Sequence, residues 1–469
     1  MTTAKSIIWL RSDLRLSDNP ALTAALQAGS ATALYIHETD ATLRPIGAAA
    51  RWWLHHSLNA LGQDLAAIGV PLLVESGKAS AVLDGAITGQ AASAVFWNRR
   101  YAPAEREIDT GIKAALSARG VEAHSFAANL LAEPWEIETL QHKPYSVFTP
   151  FAKALRQRDI RAPLRKPVGN EPGGHTDVDT HYRAPHWAKK LSPHWKIGEA
   201  AARGALEDFL DQKLAVYAEG RDFPARESTS RLSPHLRFGE ISPRQIWHAA
   251  TAMAQHDHHL QGAVDKFLSE LAWRDFNYHQ LYHRENIAKV SMQPKYEGLE
   301  WRRSGADLKR WRAGQTGIPI VDAGMRELWA NGFMQNRVRM ITASLLAKNL
   351  LLDWRLGEAW FWDCLLDADV ANNPCNWQWV AGSGLDASPY YRIFNPVTQG
   401  ERFDADGAYV RHWVPELANL PDEWVQQPFA APASMLDAAG VVLGKTYPEP
   451  VVDLKSSRER ALAAAKALE

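Results

Sequence analysis

Residues 367–379 read Asp-Ala-Asp-Val-Ala-Asn-Asn-Pro-Cys-Asn-Trp-Gln-Trp. Two carboxylates, three asparagines and two indoles in thirteen residues are not the composition of a plain core helix. Pro374 is disfavoured inside a helix, suits its first position, and biases Asn373 away from the α region. The stretch therefore predicts one helix ending before Asn372 and another beginning at Pro374. Trp377 and Trp379 are two apart, roughly 200° around a helix of 3.6 residues per turn. They point to nearly opposite sides, so one indole can face a buried cofactor and the other a cavity. A capped helix start with two packing tryptophans explains the stretch equally well.

Working outward, Asn336-Arg337-Val338-Arg339-Met340 puts Asn336, Arg339 and Met340 on one helix face. Met alone is usually core packing; this string is harder to read that way. Glu270, Trp273 and Arg274 stand at i, i+3 and i+4. A carboxylate, an indole and a guanidinium on one face suit a cavity for a flat polar ligand, or a surface ion pair under a Trp lid. Thr229-Ser230-Arg231-Leu232-Ser233-Pro234 groups three hydroxyls and a guanidinium, which suits a diphosphate or an ordinary capped turn.

A chain of 469 residues exceeds one ordinary core, and about two domains are expected. The 46% hydrophobic and 22% charged content is that of a globular chain. A net charge of −1 announces no nucleic-acid partner, so any DNA binding needs a local basic face. The 19 Trp are unusual, since indoles stack on bases and flavins as well as fill cores. Two cysteines, Cys364 and Cys375, exclude a disulfide scaffold and a cysteine zinc site. There is no secretory h-region and no apolar run of membrane-spanning length, and a cytoplasmic location is expected.

Apolar runs at 6–10, 31–37, 71–75 and 94–98 read as strands, alternating with helical patterns such as 50–68. This predicts a doubly wound parallel sheet, a Rossmann-like α/β domain over residues 1–130. No Gly-x-Gly-x-x-Gly follows the first strand, so a dinucleotide fingerprint is absent. Eight prolines between Pro134 and Pro193 mark a long inter-domain linker, 131–196, packed over the surface. From 197 to 469 strand patterns vanish, and helical spacing covers 199–217, 242–255, 264–282, 306–313, 320–331, 336–350, 359–366 and 453–468. The second domain is all-α.

These motifs, together with Ala381-Gly382-Ser383-Gly384-Leu385-Asp386-Ala387-Ser388-Pro389-Tyr390-Tyr391-Arg392-Ile393-Phe394-Asn395-Pro396, resemble the photolyase/cryptochrome family, most closely its microbial cyclobutane pyrimidine dimer photolyases. The resemblance runs from Trp9 to about Pro415. It implies a helical FAD-binding domain and an N-terminal domain for an antenna chromophore. The string Thr229, Ser230, Arg231, Leu232 and Ser233 would hold the FAD pyrophosphate, with Tyr217 and Arg221 upstream. Phe267, Glu270, Arg274, Trp311, Asn336, Arg339, Asp367, Asp369 and Asn373 complete the implied flavin contacts. Arg339 would pair with Asp367 beside the ring and favour its anionic reduced form; Asp369 would accept from N3–H, and Asn373 would face N5. Glu270, Trp273, Asn336, Met340 and Trp379 would form the dimer pocket, with the two indoles as stacking walls. Trp377, Trp354 and Trp301 match the electron-relay tryptophans. Arg226, Lys295, Arg337 and Arg402, with Trp273 and Trp379, would bind DNA. Asn98-Arg99-Arg100-Tyr101-Ala102-Pro103-Ala104-Glu105-Arg106 resembles the antenna loop, with Lys289 assigned to the same pocket. Folate-binding members carry an Asn–Glu pair where this chain has Ala104 and Glu105, which leaves the antenna open between methenyltetrahydrofolate and 8-hydroxy-deazaflavin.

The implied activity is light-driven repair of cyclobutane pyrimidine dimers in DNA by reduced FAD, in a monomer that uses no metal and no membrane. Two members of the same family are the rivals. A blue-light cryptochrome is disfavoured by Asn373, where plant cryptochromes carry an acid, and by the lack of a long low-complexity tail. A (6-4) photolyase is disfavoured because residues 334–340 contain no histidine. A thermal flavin oxidoreductase would need a nicotinamide site, and none is visible.

Overall fold

The computed structural model describes residues 4–169, 178–386 and 391–468. Most of the polar stretch before Thr180 and the Ala387-Ser388-Pro389-Tyr390 portion of the downstream string lie outside the described residues. Two compact units divide the chain, Met1–Ala215 with Ser230–Glu285, and Val216–Thr229 with Asn286–Glu469. The units therefore cut the chain at different places from the sequence periodicity, and the first contains part of the helical region.

In the first unit, β1 (Lys5–Leu10), β2 (Ser30–Glu38), β3 (Leu72–Gly77), β4 (Ala94–Asn98) and β5 (Glu122–Phe126) form one parallel sheet in the order β3-β2-β1-β4-β5. Helices Pro20–Ala28, Ala48–Ala66, Ala79–Gln90 and Pro103–Ala118 supply the crossovers that parallel strands require. Ile7, Trp9, Leu34, Ile36, Val95 and Trp97 are core because central strands of such a sheet are covered on both faces. The expected α/β fold is present. The strand missing from the sequence reading is β5, Glu-Ala-His-Ser-Phe, an edge strand with no fully buried residue and so no apolar run.

The stretch expected to be linker carries a helix of its own, Phe148–Arg156, whose buried face is only Phe151 and Leu155. The rest is fastened by side chains of helix Gln261–His283. Asp275 accepts from the Leu131 amide at 2.7 Å. His279 donates from Nδ1 to the Pro134 carbonyl at 3.0 Å and accepts at Nε2 from the Tyr145 amide at 3.0 Å. Gln280 donates to the Tyr145 carbonyl at 2.8 Å. Loop amides and carbonyls that lack a ladder are thereby satisfied.

The helix read over 199–217 is two, Glu199–Gln212 and Leu214–Gly220, broken at Lys213. In the second unit, helices Gly305–Arg312, Pro319–Asn331, Asn336–Ser344, Trp354–Cys364 and Asn372–Ala381 surround a core of Trp311, Leu345, Leu346, Trp354, Phe361 and Trp377. The helix expected over 336–350 changes at Leu345–Asn349 to a π turn. That turn buries Lys348 completely, and its Nζ lies 2.9 Å from the centre of the Tyr391 ring. Burial pulls the Lys348 amine well below the usual lysine range.

Candidate functional site

Helix Asn372–Ala381 begins two residues earlier than the proline implied. Asp369 accounts for the difference, because its Oδ1 accepts from the amides of Ala371 and Asn372 at 2.8 and 2.5 Å. With the first turn capped from outside, Pro374 sits at the third helical position, where its missing N–H is still one of the unpaired first-turn donors. Trp377 and Trp379 do diverge. Trp377 is buried beside Phe361 (centroids 5.0 Å) and Trp311 (6.1 Å), while Trp379 is half-buried and gives its Nε1–H to the Asp386 carbonyl at 3.2 Å. Gly357 makes room for Trp377, since a Cβ there would stand 2.1 Å from the indole edge.

Around this helix start the polar groups are ordered. Arg339 forks onto Asp367, with contacts of 3.0 and 2.8 Å, and holds the Met334 carbonyl through Nε at 2.6 Å. Asn373 is buried, and its amide nitrogen donates both hydrogens to Glu358, at 2.7 Å to Oε1 and 3.0 Å to the backbone carbonyl. Two acceptors on that side fix the amide orientation and leave its oxygen as the group available to a ligand. Among the described residues Asp369 Oδ2 takes the Asn372 side chain, at 2.7 Å, and has lone-pair capacity beyond it. A guanidinium, a carboxylate oxygen and an amide oxygen are a donor–acceptor set that fits the polar edge of a flavin. Trp311 is entirely core, with its Nε1–H given to the Thr342 carbonyl at 3.0 Å.

Three of the four basic residues assigned to DNA gather on one aromatic pair. Phe223 and Phe403 meet edge to face at 5.8 Å. The guanidinium of Arg226 lies 4.1 Å over Phe223, and those of Arg337 and Arg402 lie 4.6 and 5.1 Å over Phe403. Arg337 is also paired with Asp222 at 2.7 Å. Lys295 stands apart, over Tyr296. Gln335 caps helix Asn336–Ser344 through the Val338 amide and donates to the Arg221 carbonyl; Arg221 in turn reaches the Tyr217 hydroxyl at 3.1 Å. Asn336 is exposed and its Nδ2 meets the Met340 sulfur at 3.9 Å. Trp354 and Trp377 share one core cluster, and Trp301 packs against it while lining an open cleft with Leu308, Leu352 and Leu356.

In the first unit, Glu270, Trp273 and Arg274 share the less buried face of helix Gln261–His283. Phe148 stacks on Trp273 with centroids 3.6 Å apart and planes 7° apart, so one indole face is already covered. Arg274 donates to the Asn129 carbonyl at 2.7 Å. Glu270 is 3.8 Å from Lys266, and Phe267 packs on Phe209 at 4.5 Å. Arg231 adopts φ +53°, a left-handed conformation uncommon for a non-glycine residue, with its guanidinium 4.1 Å over Trp195. Beside it Ser230 Oγ accepts from the Leu232 amide at 3.4 Å, Leu232 is buried, Ser233 is exposed, and Thr229, in the second unit, is half-buried. Glu105 accepts from the Ala102 amide at 3.2 Å as a helix cap; Lys289, in the second unit, is exposed.

Sequence reasoning missed Glu358, Asp222, Phe148 and the phenylalanine pair. Asp222 and Phe223 directly follow Arg221, which the resemblance assigned, and so lay beside a signal; Glu358 and Phe148 lay in ordinary helical and linker composition. Among the described residues no cluster of His, Cys, Asp or Glu could hold a metal ion, and no helix is long and apolar enough to cross a membrane.

Comparison with known proteins bears on the whole chain. Residues 6–168 match the DNA photolyase family model, and residues 267–467 match the FAD binding domain of DNA photolyase. A deoxyribodipyrimidine photo-lyase of Agrobacterium fabrum is 47% identical over 99% of this chain and 98% of its own length. Cryptochrome-2 of Arabidopsis thaliana is 36% identical over 97% of this chain and 78% of its own. The crystal structure of a bacterial class III photolyase from Agrobacterium tumefaciens superposes with a TM-score of 0.94, at 46% identity, covering 100% of this chain and 98% of that one. An α/β sheet domain, a helical FAD-binding domain and full-length identity of this order have one reading: the chain belongs to the photolyase/cryptochrome family.

Proposed function

We propose that the protein is a light-dependent DNA photolyase that splits cyclobutane pyrimidine dimers. The observation that carries this reading is the Asn373 amide, whose nitrogen is committed to Glu358; we assign its oxygen to the flavin. A neutral acceptor there adds no charge to a reduced ring, and the Arg339 cation offsets the negative charge that such a ring carries. The 47% identity to a deoxyribodipyrimidine photo-lyase supports the same reading. Bound in its reduced form, FAD supplies the light-excited electron that splits the dimer and takes it back, with no net redox change.

The chain's own residues do the rest. Arg226, Arg337 and Arg402 hold phosphates over the Phe223–Phe403 pair, with Lys295 as a further contact. A dimer is poorly stacked, so flipping it out costs less than flipping an intact pair. Trp379 and the open face of Trp273 stack on it, Glu270 accepts from the pyrimidine edges, and Asn336 and Met340 line the pocket. Trp377, Trp354 and Trp301 carry electrons to oxidised flavin. Tyr217, Arg221 and the Thr229–Ser233 string hold the FAD diphosphate, with Arg274 between it and the substrate. Glu105 and Lys289 hold a second chromophore. The protein acts as a monomer in the cytoplasm.

The test is dimer-containing oligonucleotide under blue light with chemically reduced protein, followed by chromatography of the nucleosides. Restored thymidine is expected, and none in the dark. Trp273→Ala and Trp379→Ala should each weaken binding of dimer-containing DNA by roughly 1–3 kcal/mol while sparing undamaged DNA. Specific dimer binding without light-driven repair would overturn the enzyme reading in favour of a photoreceptor.

A further inference from the structure

Residues 382–386 follow helix Asn372–Ala381, and the Asp386 carbonyl at the end of this loop is the partner of the Trp379 indole, 3.2 Å from Nε1. The helix end itself needs little help. Gly382 turns left-handed at φ +89°, and the amides of Gly382 and Gly384 both reach the Gln378 carbonyl at 2.9 Å. Backbone bonds alone therefore close the helix. Two glutamine side chains nevertheless grip the loop as well.

Gln378 stands between the two indoles in sequence and is completely buried. Its Nε2 donates to the carbonyls of Ile287 and Val290 at 2.6 and 2.9 Å. Its Oε1 accepts from the Met292 amide at 2.7 Å and from the Ser383 hydroxyl at 3.4 Å. Both hydrogens and both lone pairs of this side-chain amide are thereby used. Gln293 belongs to the segment so fastened. Its Nε2 donates to the Gly384 carbonyl at 2.6 Å and to the Gly382 carbonyl at 3.5 Å, and its backbone amide donates to the Ser383 carbonyl at 2.9 Å. Three consecutive loop carbonyls are held by one residue. Gly384 leaves no slack, since a Cβ there would stand 2.8 Å from the Trp379 amide nitrogen.

We propose that Gln293 and Gln378 are positioning residues for damage recognition: they hold residues 382–386 as a rigid clasp that fixes the Trp379 indole before substrate arrives. The proposal rests on the reading of Trp379 as a wall of the dimer pocket. A half-buried indole without its N–H partner turns about its side-chain bonds, and ordering it opposes each binding event; one held in advance stacks without that cost. Undamaged DNA puts no base on this wall, so the clasp serves selectivity and not general affinity.

The experiment is stopped-flow fluorescence anisotropy with the FAD-loaded protein in the dark, on a labelled oligonucleotide carrying one cyclobutane thymine dimer and on its undamaged copy. Gln293→Met keeps the side-chain length and removes the donor. It should leave dimer DNA about five-fold faster or more, with association rate, affinity for undamaged DNA and FAD content at parental values. Gly384→Ala displaces the same loop where it meets Trp379, and should do the same. A merely structural role would lower the folded fraction and leave the dissociation rate of folded molecules alone. On a Trp379→Ala background Gln293→Met should add less than about two-fold, because the wall it positions is gone. Parental dissociation in either variant that folds, the full effect persisting without Trp379, or loss of folding in both variants overturns the proposal. Failure of the parent to prefer dimer DNA, or of Trp379→Ala to weaken that preference, would instead overturn the reading of the pocket on which the proposal rests.

Discussion

Asn373 and Glu358 show how much a single side chain can decide. The amide reads from the sequence as a helix cap or a flavin contact; the structure gives it a partner fifteen residues upstream. Asn373→Asp removes both donors and sets a second carboxyl against Glu358, where an N–H now reaches at 2.7 Å. Carboxyls that close resist joint ionisation. FAD should stay bound, the flavin spectrum reached under blue light with reductant should change, and repair should fall roughly ten-fold, the effect of about 1.4 kcal/mol. Parental spectra and yield would reduce Asn373 to a structural role. Arg337 is the second case. Its charge is shared with Asp222, so Arg337→Ala should lower DNA affinity with a salt-slope change of about one unit at most, whereas Asp222→Asn should raise affinity by freeing the guanidinium. Opposite signs from two neighbours, read by fluorescence anisotropy at several salt concentrations, place both on the phosphate face; equal signs remove them.

Among the elements, the Leu345–Asn349 π turn is the one that breaks the local rules. It buries an amine whose nitrogen has no hydrogen-bond partner among the described residues. A lysine held below its usual range loses stability as pH falls from the unfolded pKa, so at neutral pH Lys348 is a net cost. Lys348→Met should raise the melting temperature, by about 1–3 kcal/mol of stability; a lower melting point would show that the Tyr391 contact outweighs the burial. The tryptophan series crosses three elements. Trp301→Phe should block photoreduction of oxidised flavin and spare repair by flavin reduced chemically; full photoreduction in the variant would move the path elsewhere. Legibility followed the same divide. The strands β1 to β4 and the amphipathic helices were visible because burial imposes a period. The edge strand β5, the break at Lys213 and the π turn were not, because none changes the apolar pattern that periodicity reads. The site motifs were visible as strings of polar residues too dense for a core, but their partners Glu358 and Phe148 come from distant, unremarkable sequence.

For the molecule as a whole, two buried groups four residues apart on helix Gln261–His283 pull acid stability in opposite directions. Burial pushes Asp275 up to about 6, above its ordinary 3.8. Between those values the folded protein holds a proton that the unfolded chain has lost, so stability falls as pH rises from about 4 to about 6. His279 is held down at about 4, against 6.5, by burial and by the neighbouring His283; its Nε2 is already an acceptor for the Tyr145 amide. There the unfolded chain binds more protons, and stability falls as pH drops from about 6.5 to about 4. Each effect is on the order of 3 kcal/mol at most, and they nearly cancel. Melting temperature should therefore be almost flat in the parent over this window. It should fall with acid in Asp275→Asn and rise with acid in His279→Gln. Parallel curves for the two variants would refute the opposition.

The side-chain bonds that fasten residues 131–148 to that helix make covalent continuity dispensable there. Tethers grip Leu131, Pro134 and Tyr145, and Phe148 is stacked on Trp273, while Leu140 between them stands fully exposed at 102%. New chain ends opened at Leu140 would leave both flanks docked. A reporter domain inserted at that turn should leave the protein able to fold and keep its flavin, which makes this apparent spacer the natural place to graft onto the protein.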